Sequence, residues 1–97
     1  MQLYVVTWKF ETSEYQVFAG EALIEHSEGS NDIFPGYERI AWIHTPQDGT
    51  GTVICKADSA IVLYRVFNPW REKYGMTWTY TPGLSTKELV ELIKETK

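Results

Sequence analysis

The stretch "VICKADSAIVLYRVFNPW", residues 53–70, decides the fold because two periodicities meet in it with almost no linker. Residues 52–57, "TVICKA", alternate β-branched and small side chains and read as a strand. Asp58 then stands where a helix wants its cap. Ala60, Leu63, Tyr64 and Phe67 follow at the three- and four-residue spacing of a buried helical stripe. Asn68-Pro69 closes the stretch. Proline has no amide proton and its ring crowds the preceding turn, so a helix that ends, kinks or restarts at Pro69 is predicted. On this reading "WREKYG", residues 70–75, is a short second helical segment with Pro69 in its first turn and Gly75 at its end.

Upstream, "YERIAWIHT", residues 37–45, reads as a strand, and "PQDGTG" with its Asp48-Gly49 pair reads as the hairpin turn into residues 52–57. Simple alternation puts Ile40, Trp42 and His44 on one face and Arg39, Ala41 and Ile43 on the other. The N-terminal "LYVVTW", residues 3–8, is a further strand, with Tyr4, Val6 and Trp8 opposing Leu3, Val5 and Thr7. Ser13 and Gln16 form a capping box. The stripe Tyr15, Phe18, Ala19, Ala22, Leu23 and His26 then predicts a helix that Gly29 ends, before the loop "GSNDIFPG". "MTWTYT", residues 76–81, alternates like a half-buried strand, and Pro82-Gly83 reads as a turn. Ser85 and Glu88 cap a last helix with Leu89, Val90, Leu92 and Ile93 on one side.

The element order is therefore β-α-β-β-α-β followed by α. Split βαβ units of this kind give a four-stranded antiparallel sheet with helices on one face, the ferredoxin-like α+β architecture, here as a single domain over residues 1–97. One helix layer leaves the second sheet face bare, although both alternating sets carry apolar residues. The expected remedy is a homodimer through the helix-free sheet face.

Composition narrows the function classes. A net charge of −4 over 97 residues, with lysines and arginines scattered, predicts no nucleic-acid partner. The single cysteine, Cys55, excludes an intramolecular disulfide and a Cys-rich zinc site, and it fits a reducing compartment. "MQLYVVTWKF" lacks a basic leader and is too short an apolar run to span a bilayer, so no membrane association and a cytoplasmic location are expected. No phosphate loop, metal-ligand cluster or serine elbow occurs, so no cofactor and no metal are predicted.

Taken together, "VVTW", the Trp and His late in the second strand, "DGTG", "KADS" and "TYTP" resemble a family of small bacterial proteins classified only as a domain of unknown function. The resemblance runs from Met1 to Pro82. It implies the ferredoxin-like fold of the dimeric α+β barrels, whose members include cofactor-free monooxygenases, isomerases and lyases as well as ligand-sensing domains. This chain departs from the family pattern at Ile43, which separates Trp42 from His44, and at Lys56, where the family carries an acidic residue.

Among individual residues, His44 is the candidate acid or base, since its ordinary pKa near 6.5 suits proton transfer at neutral pH. Trp8, Trp42, Trp78 and Tyr80 are candidate ligand-binding residues, with Trp70 a further indole able to stack on a flat molecule. His26 and Cys55 read as structural, the thiol being buried and inert between Val53 and Ala57. These residues predict a non-catalytic domain that binds a small apolar or aromatic ligand, or a protein partner. The alternatives are a cofactor-independent monooxygenase or isomerase using His44, and a purely structural dimer. A closed cavity reached by His44 and at least one tryptophan is the discriminating feature; a filled interior with no cavity supports the structural or partner-binding reading.

Overall fold

In a computed structural model, residues 1–12, 19–21, 23, 24 and 34–96 are described, and strands β1 (Gln2–Phe10), β2 (Tyr37–Thr45), β3 (Thr50–Ala57) and β4 (Met76–Gly83) form one sheet. The strand order is β2-β3-β1-β4, and every neighbouring pair is antiparallel. Residues 19–21, 23 and 24 are helical and are the described part of α1. The other helices are α2 (Ala60–Tyr74) and α3 (Thr86–Glu95). This is the ferredoxin-like β-α-β-β-α-β order with an added C-terminal helix. The capping box at Ser13 and the C-cap at Gly29 lie outside the described residues, as does His26.

The central strands carry the core. Along β1, Tyr4, Val6 and Trp8 are buried, and opposite them β3 contributes Val53, Cys55 and Ala57. Helix α2 closes this face with Val62, Leu63 and Phe67, and Met76 joins from β4. The other face holds Leu3, Val5, Ile54 and Ala41, all partly exposed, and a field of threonines. Thr7 and Thr79 there share a side-chain hydrogen bond of 2.9 Å across β1 and β4.

Three expectations are corrected. The helix does not break at Pro69: α2 runs unbroken from Ala60 to Tyr74 and ends at Gly75, whose φ of 65° is the left-handed cap glycine tolerates. Proline costs about 3 kcal/mol in a helix interior. Here Pro69 and the carbonyl-bearing Arg65 one turn earlier are both exposed, so water can serve the orphaned acceptor. The buried Leu63 and Phe67, each contributing about 1.5–3 kcal/mol, hold the helix to the sheet on both sides of the lesion. Second, the N-cap is Ser59 rather than Asp58, and it makes no side-chain cap bond. Third, Pro82-Gly83 is no turn. Both residues pair with β1, at Tyr4 and Leu3. Because β4 is an edge strand, the missing proline amide can fall on its unpaired side.

The β2–β3 hairpin forms where "PQDGTG" predicts it. Its turn is closed by the Asp48 amide donating to the Thr45 carbonyl at 3.1 Å and the Gly49 amide donating to the Pro46 carbonyl at 3.2 Å.

Candidate functional site

The strand register brings four residues into one row across the sheet, His44 opposite Gly51, Gly51 opposite Trp8, and Trp8 opposite Trp78. Gly51 explains what happens in that row. Its missing side chain leaves a gap that the Trp8 indole fills, so closely that a Cβ on residue 51 would fall 1.9 Å from Trp8 Cζ2. Lying across Gly51, the indole reaches the strand beyond, and its ring meets the His44 imidazole edge-on at 5.5 Å between centroids and 68°. Trp42 tilts against the same imidazole at 4.9 Å and 44°. His44 thus touches both indoles while staying exposed to solvent.

A β-bulge supplies the next contact. Pairing of β2 with β3 slips between Arg39 and Ala41, which leaves Ile40 as the extra, exposed residue. Simple alternation sets Arg39 on the face opposite Trp42. The bulge resets that alternation, and the Arg39 guanidinium sits 4.2 Å from the centroid of the Trp42 ring. The side chains along the helix-covered end of β2 are therefore Arg39, Trp42 and His44.

Two effects act on the imidazole. Partial burial among the aromatic rings is the larger, and repulsion from the Arg39 cation adds to it; both push the His44 pKa below its ordinary 6.5. At neutral pH the ring is uncharged and offers one nitrogen as acceptor and the other as donor. Cys55 is chemically different. Burial pushes its thiol up to about 11, against the opposing effect of a hydrogen bond with Tyr37, so it has little thiolate at neutral pH.

Beside this cluster lies a cleft of about 250 Å³. The sheet forms its floor through Trp8, Phe10, Trp42, His44 and Met76, α2 one wall through Phe67 and Trp70, and α1 the other through Ala19, Gly20 and Leu23. The hairpin turn closes the end with Pro46, Gly49 and Thr50. The lining is almost wholly apolar, and His44 is the titratable side chain among these residues.

The structure thus brings His44, Trp8 and Trp42 together, with Trp78 and Tyr80 on β4, on the other side of β1 from His44. Trp78 stacks obliquely on Phe67 at 5.7 Å and on Tyr80 at 6.1 Å. Tyr80 meets Tyr4 edge-on at 5.8 Å and is 43% exposed. They continue the aromatic layer toward the far end of the sheet and do not line the cleft. Trp70 lines the cleft. Its signal is in the sequence, three residues after Phe67 and seven after Leu63 on one helical stripe, provided the stripe is carried through Pro69. Among the described residues no group of three or more His, Cys, Asp or Glu could hold a metal ion.

A family model described as "Domain of unknown function (DUF3303)" matches residues 2–97, which bears out the motif resemblance. No curated protein matches the chain. A solved structure described as "Putative antibiotic biosynthesis monooxygenase from Nitrosomonas europaea" is similar with a TM-score of 0.51, at 12% identity, over 88% of this chain and 93% of that one. At that identity the likeness supports the ferredoxin-like fold and carries no reaction with it.

Proposed function

We propose, for a chain that belongs to the DUF3303 family and so takes no assigned activity from it, that the cleft binds a small flat aromatic ligand bearing a hydroxyl group. The single observation that carries this reading is the neutral imidazole of His44 against the indoles of Trp8 and Trp42 at the floor of an apolar cleft. The indoles and Phe67 offer faces and edges on which a ring can stack. His44 supplies a hydrogen-bond acceptor for a phenolic proton, and a pocket combining an apolar lining with one polar group discriminates by that group. A volume of about 250 Å³ suits one or two fused rings. The reading is of a binding domain without turnover, since among the described residues no second titratable side chain lines the cleft to complete a catalytic pair.

The test compares 1-naphthol with naphthalene by quenching of tryptophan fluorescence. The naphthol is expected to bind more tightly by roughly three- to tenfold, the worth of one neutral hydrogen bond. In His44→Ala that preference should vanish while naphthalene binding stays. Equal affinities of the two compounds for the parent protein would remove the role given to His44.

A second reading has its own support. A neutral histidine facing an apolar cleft is also a competent general base, as a cofactor-independent monooxygenase or isomerase requires. A bound phenol consumed by the parent and spared by His44→Ala would shift the assignment to that reaction class.

The proposal includes assembly and location. The helix-free face exposes Ile43 at 52% and leaves Leu3, Val5 and Ile54 partly bare, which supports a homodimer formed through it. Among the described residues no helix is long and apolar enough to cross a membrane. The reduced, unpaired Cys55 supports a cytoplasmic setting.

A further inference from the structure

Helix α3 is built as an amphipathic element, and among the described residues it packs closely on no other strand or helix. Leu89, Val90, Leu92 and Ile93 fall on one side, with Lys87, Glu88, Glu91, Lys94 and Glu95 on the other. A full capping box secures its start: the Glu88 amide donates to Ser85 Oγ at 3.2 Å, and the Ser85 amide donates to Glu88 Oε1 at 3.1 Å. Yet none of its residues is buried, and the four apolar side chains remain 42–48% exposed. The radius of gyration, 15.1 Å, exceeds the ~12.5 Å expected of a compact domain this long, as a projecting element would make it.

The side from which α3 leaves the sheet is also defined. A side chain at Gly83 would stand 3.6 Å from Leu3 Cδ2 and 3.9 Å from Val5 Cγ2, so the chain departs beside two residues of the helix-free face. The Glu88 carboxylate lies within electrostatic reach of Lys56, which shares that face with Lys9. The projecting helix and the uncovered sheet face are on the same side of the molecule.

We infer that α3 is a reciprocal clasp, its Leu89–Ile93 stripe laid on the helix-free sheet face of a second copy of this chain. This rests on the homodimer proposed above and names the element that holds it. Three observations favour a second copy as the occupant. The apolar stripe and the apolar part of the receiving face, Leu3, Val5, Ile43 and Ile54, stand on one chain, so a twofold axis satisfies both at once. The polar side of α3 carries three carboxylates against Lys87 and Lys94, and the receiving face carries Lys9 and Lys56 against Glu38, which stands opposite Lys56, so the rims attract on balance. The area also suffices. With Leu84, itself 50% exposed, five half-exposed aliphatic side chains offer on the order of 400 Å² per chain. Reciprocated, and counted with the surfaces they cover, this reaches about 1,600 Å², the size of a stable interface.

Light scattering after gel filtration tests the clasp on the full chain. The parent should run at twice its 11.2 kDa mass. Leu89→Glu with Leu92→Glu should run as a monomer with unchanged far-ultraviolet circular dichroism, and so should Ile43→Glu. If the helix variant fails to fold, Lys9→Glu with Lys56→Glu leaves every apolar contact in place and should raise the dimer dissociation constant at least tenfold. A parent dimer that survives the helix variant would overturn the clasp and leave the sheet-face dimer standing. A dimer broken by the helix variant and untouched by Ile43→Glu would place α3 on another surface and overturn it as well. A monomeric parent would end both proposals, including one that sediments with lipid vesicles or elutes with another protein.

Discussion

Gly51→Ala is expected to destabilise the protein by about 1–3 kcal/mol, the cost of overpacking a filled core site. The reason is the 1.9 Å that would separate the new Cβ from Trp8 Cζ2. Nothing at that distance can be absorbed by a rotamer adjustment of the methyl group, so the indole or the strand must move. The Trp8 ring is 8% exposed and in contact with the core, and its displacement also pulls it from His44. A thermal midpoint lower by roughly 4–8 °C per kcal/mol is the expected reading for a domain this size. Gly20→Ala is the control with the opposite sign. Gly20 is helical with nothing within 4 Å of an added Cβ, so alanine there should be neutral or stabilise by up to about 1 kcal/mol. A Gly51→Ala midpoint within experimental error of the parent would mean the row through Gly51 is looser than described.

Trp8→Ala should cost more, about 3–5 kcal/mol, the range for removing a buried aromatic ring. Domains of this size hold about 5–15 kcal/mol in all, so at least about a fifth of the stability rests on one indole. The loss combines two effects. The ring fills the gap above Gly51 and packs into the buried cluster with Val6, Val53 and Met76, so its removal leaves a cavity. It also takes away one of the two indoles that touch His44, and 1-naphthol binding should fall with stability. Chemical denaturation of the variant checks the first effect, and titration at a temperature where it remains folded checks the second. A cost below 1 kcal/mol would show that the ring is peripheral to the core.

The fold was legible because local signals agreed with one another. The capping box at Ser85, the Asp48-Gly49 hairpin and the strand-to-helix passage at Ala57–Ala60 are local chemistry, read over a few residues. Pro69 misled for the converse reason. A strong local breaker was overridden by burial of Leu63 and Phe67, and burial is tertiary information. The site was half legible. His44, Trp8 and Trp42 carry their chemistry in their identities, but which indoles meet the imidazole depends on two non-local facts. One is the register that sets Gly51 between Trp8 and His44. The other is the bulge at Ile40, which turns Arg39 onto Trp42 and has no composition signal in "YERIAWIHT". Alternation alone sets Trp78 beside Trp8 on the core face. The continuous α2 fills the space above it with Phe67 and Tyr64 and carries Trp70 to the cleft.

The central claim is that a neutral His44, touching two indoles, accepts a hydrogen bond from the ligand. The pH dependence of 1-naphthol affinity tests it most directly. Burial and Arg39 lower the folded-state pKa of His44 below 6.5, so the imidazole is mostly neutral down to pH 6.5 and its titration midpoint lies below that. The phenol itself ionises only near pH 10, by analogy with tyrosine, and contributes nothing in this window. Affinity should therefore change little from pH 8 toward pH 6.5 and fall as the pH drops through the lowered pKa, because imidazolium has no acceptor nitrogen. In His44→Ala it should be weak and flat throughout. Parent and variant binding with the same affinity, level down to pH 5, would contradict the account.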